Sequence, residues 1–244
     1  MNRFTIENKN KFCRHFLEPL LKLNPKCVLK LEPEKVQAKS CYADGSLFLQ
    51  ATSTIDTDLQ DQKELAFVDN SRFIKTLDFV PKDMVNFKLE NNHIVYKDTT
   101  NHFVLQIYDS RVVPQPRMSF DKVESLEFNL DLNLNTEVFF EILKASSIYP
   151  DLNKLYFNFG NNTLKIELSD RNKSNCDGFT KTIENVQSPG TLVDFILPLE
   201  PLRVVLSNKM EKINFRFHKT SGLVNLLYEI DGIKMSYVIP TLIK

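Results

Sequence analysis

Carboxylates and histidines are the residues of this chain whose types could support acid–base or metal chemistry. Four carboxylates fall close together, at Asp56, Asp58, Asp61 and Glu64. Their spacing fits no defined coordination loop, so we interpret the cluster as an acidic, solvated loop. The histidines are isolated in sequence and have no carboxylate partner at a fixed spacing: His15, His93, His102 and His218. The sequence therefore predicts no catalytic residues and no metal site, and an enzyme site built from scattered residues is only a third alternative.

Composition points in the same direction. The chain contains no GxSxG, Walker, HExxH or EF-hand signature, and only 6 of its 244 residues are glycine. Few glycines argue against a glycine-rich phosphate-binding enzyme, and no cofactor is expected. Lys+Arg and Asp+Glu both number 31, so the formal net charge is zero. Any nucleic-acid surface must therefore arise from segregation of charge along the chain and not from overall basicity.

The cysteines and the apolar runs indicate the compartment. Four cysteines are scattered without a CxxC pair: Cys13, Cys27, Cys41 and Cys176. This favours structural thiols in a reducing environment. The first residues contain no apolar run that resembles a signal peptide, and no stretch is long and apolar enough to span a bilayer. We therefore expect a soluble protein without membrane contact, located in the cytoplasm, which would be that of an infected host cell if the protein is viral.

Basic side chains gather on segments whose apolar residues recur at helical spacing. Four helices are predicted over residues 8–23, 70–80, 135–149 and 199–209. Pro19 should kink or break the first helix, whereas Pro201 suits the first turn of the fourth. Candidate N-caps are Asn70 or Ser71 for the second helix and Asn135 or Thr136 for the third. The alternative is that these are ordinary amphipathic helices with solvated outer faces.

Most of the remaining chain alternates apolar and polar residues with the period of a strand, and Asp-Gly, Asn-Asn and Ser-Gly turns separate the runs. Three blocks recur in the same order at nearly constant offset. Residues 85–89 (VNFKL) match 213–217 (INFRF), residues 73–77 match 202–206, and residues 103–107 match 235–239. The order predicts an internal duplication. Between the halves, the prolines of RVVPQPRMSFDKVE favour an extended connector.

Longer blocks carry a resemblance to a known family. FLEPLLKLNPKCVLK from Phe16, FFEILKASSIYPDLNKLYFNFGNNTLKIEL from Phe139 and the terminal MSYVIPTLIK resemble the DNA sliding clamps, polymerase processivity factors related to proliferating cell nuclear antigen. The likeness is strongest to the clamps of T4-like bacteriophages. It implies an α+β clamp fold of two similar domains, each with antiparallel sheets and two short helices. The expected boundaries are residues 1–111, a connector at 112–123, and 124–244.

The resemblance also implies an assembly and its partners. We expect a head-to-tail homotrimer that forms a ring around double-stranded DNA, tethers the replicative DNA polymerase without reading sequence, and is opened by a clamp loader. The bases expected to face the DNA are Lys9, Lys11, Arg14, Arg72, Lys75, Lys144, Arg203 and Lys209. Candidate edge strands for ring closure lie near residues 97–108 and 163–172. A duplicated, β-rich viral structural or assembly protein is the competing interpretation.

Clamps of this family bind partner peptides beside the connector and the C-terminus. The corresponding apolar residues here are Val112, Val113, Pro114, Pro116, Met118, Ile239, Pro240 and Leu242. An exposed cluster of this kind suits a peptide groove. The alternative is that the same residues contribute to the core.

Overall fold

The structure is a computed structural model that describes residues 2–173, 176–186, 193–208 and 210–242. The chain divides into two compact units. Unit 1 comprises Met1–Met118 with Glu229–Met235, and unit 2 comprises Ser119–Tyr228 with Ser236–Lys244. The predicted connector, residues 112–123, spans the division after Met118. Each unit is described by itself.

The strands of unit 1 precede and follow its helices in a simple order. They are β1 (Arg3–Ile6), β2 (Cys27–Glu32), β3 (Lys35–Cys41), β4 (Phe48–Thr54), β5 (Asp56–Thr57), β6 (Lys63–Phe67), β7 (Val85–Glu90), β8 (His93–Lys97) and β9 (His102–Gln106). Between β1 and β2 runs one helical segment made of α1 (Lys9–Phe12), a π-helical turn (Cys13–Leu17) and α2 (Glu18–Leu23). Between β6 and β7 lies α3 (Asn70–Phe79), and a 3-10 turn covers Ser110–Val112.

Unit 2 repeats this order after a short additional helix, α4 (Phe120–Glu124). Its longer helices are α5 (Glu137–Ile148) and α6 (Leu199–Leu206). Its strands are β10 (Leu130–Asn135), β11 (Lys154–Gly160), β12 (Thr163–Leu168), β13 (Phe179–Ile183), β14 (Val193–Pro198), β15 (Lys212–His218), β16 (Leu223–Ile230) and β17 (Ile233–Pro240).

Strand order confirms the prediction of two similar α+β domains. In unit 1 the antiparallel orders are β1-β7-β8-β9 and β4-β3-β2-β6, and in unit 2 they are β10-β15-β16-β17 and β13-β12-β11-β14. Each strand of one unit thus has a counterpart in the other. The addition in unit 1 is β5, which pairs with β1. It is formed by Asp56 and Thr57, so the acidic segment that was predicted to be a loop is partly a strand.

The repeated VNFKL and INFRF blocks are equivalent core strands. Phe87 of β7 pairs with Phe4 of β1, and Phe215 of β15 pairs with Leu132 of β10. Both Phe87 and Phe215 are fully buried. The Phe87 ring stacks on Phe4 at 5.1 Å between centroids, and the Phe215 ring stacks on Phe157 at 5.2 Å. The duplication therefore preserves a buried phenylalanine in the equivalent strand of each unit, while its stacking partner comes from β1 in unit 1 and from β11 in unit 2.

Proline in the first helix is accommodated without a break. Pro19 lacks the N–H that a regular helix needs and its ring crowds the carbonyl four residues earlier. The preceding turn, Cys13–Leu17, widens to π geometry, in which the Glu18 N–H bonds the Cys13 carbonyl five residues back. The chain stays helical to Leu23. The predicted break is therefore absent, and a π-turn precedes the proline.

Two further local features differ from the prediction. The N-cap of α3 is Asp69, whose carboxylate accepts from the Ser71 N–H at 3.0 Å, one residue before the predicted caps. The second half of the connector is helical. Ser119 caps α4, and Phe120 and Val123 at helical spacing are both buried. Burial of two apolar residues on one helical face outweighs the preference of the neighbouring prolines for extended chain.

Candidate nucleic-acid interface

The first helical segment of unit 1 presents a basic outer face. Its apolar residues point into the core, while Lys11, Arg14, Glu18 and Lys22 are exposed. Lys11 lies 3.3 Å from Asp231, an exposed pair that contributes little to stability. Such a face can attract phosphate groups through side chains that remain in water.

His15 lies beside Arg14 on this segment and is only half-buried. Partial burial, together with the charge of Arg14, lowers the pKa of His15 from its ordinary value. The imidazole is therefore neutral at pH 7 and adds no positive charge to the face.

Helix α3 adds two more exposed bases. Arg72 and Lys75 lie one turn apart, and Arg72 Nε is 3.6 Å from the Asp69 carboxylate. The hydrogen bond from the Ser71 hydroxyl is the main cause that lowers the pKa of Asp69, and Arg72 and Lys75 lower it further. The Arg72 side chain is 78% exposed, so the Asp69 pair leaves most of its guanidinium available to a ligand.

Lys9 corrects the sequence-based prediction. Its side chain is buried, and its ammonium donates to the carbonyl of Val80 at the end of α3. The Lys9 backbone N–H donates to the Asp83 carbonyl at 2.9 Å. Thr136 occupies the equivalent place in unit 2, since its N–H donates to the Glu211 carbonyl at 3.0 Å and its hydroxyl to the Met210 carbonyl at 2.6 Å. Lys9 thus ties two helices together and does not face solvent.

The helices of unit 2 are less basic at their surface. On α5 the exposed residues include Glu137, Glu141 and Lys144. Glu141 pairs with Lys181 of β13 at 2.5 Å. On α6 Arg203 donates to the Ser146 hydroxyl at 2.6 Å and lies 3.7 Å from Glu200. Arg203 is therefore engaged in helix packing. The predicted base Lys209 lies outside the described residues.

The residues predicted to bind partner peptides fall into two groups. Val113 is buried against Val28 and Ala66 of unit 1, and Ile239 is also fully buried, so both are core residues. Val112 is 56% exposed and Leu242 is 38% exposed. The remaining predicted residues, which are partly or largely exposed, are Pro114, Pro116, Met118 and Pro240. Whether the exposed members form one peptide groove stays a prediction.

The sequence did not identify both sheet edges correctly, nor the exposed apolar residues at a sheet edge and at two helix ends. Strand β9 is last in its sheet, as expected for the segment near residues 97–108. The other candidate edge, near residues 163–172, is wrong, because β12 is paired on both sides. The edge strand of that sheet is β13. Val104 of β9 is 52% exposed, Phe79 at the end of α3 is 66% exposed, and Ile148 at the end of α5 is 70% exposed. The Phe79 ring meets that of Phe103 at 5.4 Å between centroids. A hydrophobic side chain at the last turn of an amphipathic helix is a weak signal in sequence.

Other chemistry finds little support within the described ranges. No group of three or more His, Cys, Asp or Glu side chains there could hold a metal ion. Burial raises the pKa of the Cys13 and Cys27 thiols to about 12, so both are unreactive at pH 7. No helix in these ranges is long and apolar enough to cross a membrane.

Comparison with known proteins identifies the fold. No family model and no curated protein matches the sequence. Among solved structures, PCNA from A. fulgidus bound to the C-terminal region of FEN-1 has a TM-score of 0.77 and 12% identity, over 100% of this chain and 99% of that chain. PCNA from Thermococcus kodakaraensis has a TM-score of 0.76 and 15% identity, over 99% and 100%. The PCNA2–PCNA3 complex from Sulfolobus tokodaii gives 0.70 and 13%, over 98% of each chain. The chain therefore has the sliding-clamp fold, and the expected likeness to phage clamps stays a prediction.

Proposed function

We propose that this protein is a DNA sliding clamp, a ring that encircles duplex DNA and tethers a replicative DNA polymerase. The observation that carries the proposal is that the clamp fold extends over the whole chain. It is supported by exposed bases on the helices, which suit weak contacts to phosphate that do not depend on sequence. A clamp acts by topology, because a tethered polymerase rebinds within the same complex.

The proposed ring closure uses two edge strands. We propose a homotrimer in which β9 of one copy pairs with β13 of the next, giving a head-to-tail contact that closes after three chains. The Ile107 N–H donates to the Asn92 carbonyl at 2.7 Å, and the Asp98 N–H donates to the Asn101 carbonyl at 3.0 Å. In an antiparallel pair, hydrogen-bonded and non-hydrogen-bonded residue pairs alternate. Val104, opposite Val95, is in a non-hydrogen-bonded pair, so its N–H points away from β8. That group is available to a neighbouring strand. The exposed apolar residues Phe79, Val104 and Ile148 support burial at the same contacts.

The trimer is tested by light scattering across a dilution series. We expect three times the chain mass of 28.3 kDa, with dissociation at low concentration if closure is weak. Val104→Pro should abolish the trimer and leave the monomer folded, because it removes a donor that lies outside the unit's own ladder. Val95→Pro is the contrasting variant. Strand β8 is paired on both sides, so proline there should remove a hydrogen bond within the unit and destabilise the monomer itself. A monomer at every concentration, or a polydisperse assembly, would favour the duplicated structural protein.

DNA encirclement needs a separate measurement. Protein loaded on nicked circular duplex should remain bound when salt is raised to a level that removes it from linear DNA with free ends. A clamp slides off an open end, whereas a protein that binds the DNA surface dissociates equally from both forms. Equal loss from circular and linear DNA would contradict the proposal.

Partner binding is proposed for the exposed apolar residues of the connector and C-terminus, chiefly Val112, Met118 and Leu242. The FEN-1 segment bound to the PCNA of A. fulgidus supports a peptide partner here. The sequence blocks from Phe16 and Phe139 resemble clamps of T4-like phages. This resemblance supports a phage polymerase and a clamp loader as further partners. Val112→Asp should abolish stimulation of the polymerase without changing ring mass. Asn172→Asp, also exposed, is a control that adds the same charge.

A further inference from the structure

The two units differ in the charge that their helices carry. The segment Lys9–Leu23 has four bases and one acid, and α3 has two bases and one acid. In unit 2, α5 has one base and two acids, and α6 has one of each. The net charge of these helices is therefore +4 in unit 1 and −1 in unit 2, and α4, with one base and two acids, adds a further −1 to unit 2. Equivalent backbones thus present different fields to a polyanion.

Internal bonds change this difference little. In unit 1 only Lys9 is buried, and Lys11, Arg14, Lys22, Arg72 and Lys75 all remain exposed. In unit 2 Arg203 donates to Ser146 and lies 3.7 Å from Glu200, yet its side chain is 42% exposed, and Lys122 of α4 and Lys144 of α5 are exposed as well. The exposed bases are therefore five on the two helical segments of unit 1 and three on the helices of unit 2, where acids on the same helices outnumber or match them.

The outer face of α5 has a different character. Phe140 and Ile148 are 37% and 70% exposed, and Glu137 and Glu141 lie on the same helix. Lys144 is surrounded by Glu137, Phe140 and Glu141 in a shallow depression. Phosphate gains nothing from apolar contacts and is repelled by carboxylates. This face is poorly suited to the DNA backbone.

We infer that unit 1 supplies the phosphate contacts of the clamp and that the helices of unit 2 contribute almost none. The inference rests on the proposed function. In a trimeric ring the attraction to DNA would come from three sectors, one in each chain, and not from six equivalent ones. The partner is the phosphate backbone of duplex DNA, recognised by Lys and Arg side chains that remain solvated.

Matched single variants test the inference. Arg14→Gln and Lys144→Gln each remove one exposed base from the first helix of a unit. The measurement is the salt dependence of reversible binding to a short linear duplex with free ends, since a ring on a circle is retained by topology. On the linear duplex each phosphate contact contributes about 0.9 to the slope of log K against log salt. Arg14→Gln, and more strongly Arg14→Gln with Lys75→Gln, should lower the slope by about 1 or more. Lys144→Gln should change the slope by less than about 0.3.

The outcomes separate this inference from the clamp function itself. A slope that falls equally for Arg14→Gln and Lys144→Gln, with wild-type retention on circles intact, would overturn the inference and leave the clamp standing. Wild-type protein that shows no preferential retention on circles would overturn the clamp proposal first. Ring mass and melting temperature should be unchanged in all variants, because the substituted side chains are exposed.

Discussion

The first helices of the two units occupy the same place in the strand order and present opposite surfaces. In unit 1 the helical segment follows β1, contains a π-turn, and exposes Lys11 and Arg14. In unit 2 α5 follows β10 as a regular helix and exposes Glu137 and Glu141. Duplication preserved what is buried, because core volume is constrained. Exposed positions carry no such constraint, so the two copies have diverged there in charge and hence in proposed role.

The largest expected effect tests whether the buried parts are truly equivalent. Phe87→Ala and Phe215→Ala each empty the aromatic centre of one unit, and each should cost about 3–5 kcal/mol of unfolding free energy. Similar losses in denaturant titrations would support equivalence. Phe79→Ala, at 66% exposure, is the control and should cost far less in the dissociated monomer. A loss below about 1 kcal/mol at either buried phenylalanine would break the comparison.

An intermediate effect tests the two residues whose side chains donate to backbone carbonyls that follow the second helix of their unit. Lys9→Met removes the donor to the Val80 carbonyl, and Thr136→Val removes the donor to Met210. Each leaves a carbonyl that is poorly satisfied, at a cost of about 1–3 kcal/mol. Chemical denaturation measures the loss, and Lys11→Met should stay within about 0.5 kcal/mol.

Lys9→Met also has a second readout. Because the Lys9 ammonium is buried, the salt slope of DNA binding should not fall by the 0.9 or so expected for a lost phosphate contact. Acetylation of surface amines should label Lys11 well before Lys9. A reduced slope for Lys9→Met, together with rapid labelling of Lys9 in the wild-type protein, would show that Lys9 faces the DNA after all.

The sequence predicted the repeated parts of the fold better than the parts that differ between units. Periodicity and matched blocks were enough for the two similar domains and their main helices. The burial of Lys9 was not predictable, because a lysine near a helix start looks solvated until the Val80 carbonyl is placed beside it. Strand β5 was missed because two residues have no period. Helix α4 was missed because local proline signals pointed to extended chain, while burial of Phe120 depends on tertiary contacts.

Pairing beyond the chain could not be derived from pattern alone. The candidate edge near residues 163–172 corresponds to strand β12, yet hydrogen bonding on both sides makes it interior. An edge is a property of the sheet and not of the strand. The same holds for the exposed bases, since only the structure separates Lys11 and Arg14, which are exposed, from Lys9, which is buried and bonds the Val80 carbonyl.

The smallest expected effect concerns two equivalent hairpins, β8–β9 in the first half of the chain and β16–β17 in the second. Hairpin β16–β17 turns through Asp231 and Gly232, both at positive φ, and its geometry needs no side-chain acceptor. Hairpin β8–β9 instead turns around Asp98, whose carboxylate accepts from the backbone N–H groups of Thr100 at 2.8 Å and Asn101 at 2.6 Å, and from the Tyr96 hydroxyl at 2.7 Å. These bonds to the charged form hold the pKa of Asp98 far below its ordinary value.

The sign of the resulting pH dependence follows from that shift. A carboxyl whose pKa is depressed on folding stabilises the hairpin above its unfolded pKa of about 3.9, and this contribution is lost as pH falls toward the folded value. Burial and the bond to Asp98 raise the pKa of Tyr96 to about 12, so the Tyr96 contribution is lost only as pH rises above about 10. Asp98→Asn should therefore flatten the acid-side fall in protection of the β9 amides, measured by hydrogen exchange between pH 5 and 3. Amides of β17 should be unaffected, and a matching change there would show that the effect is not confined to the Asp98 turn.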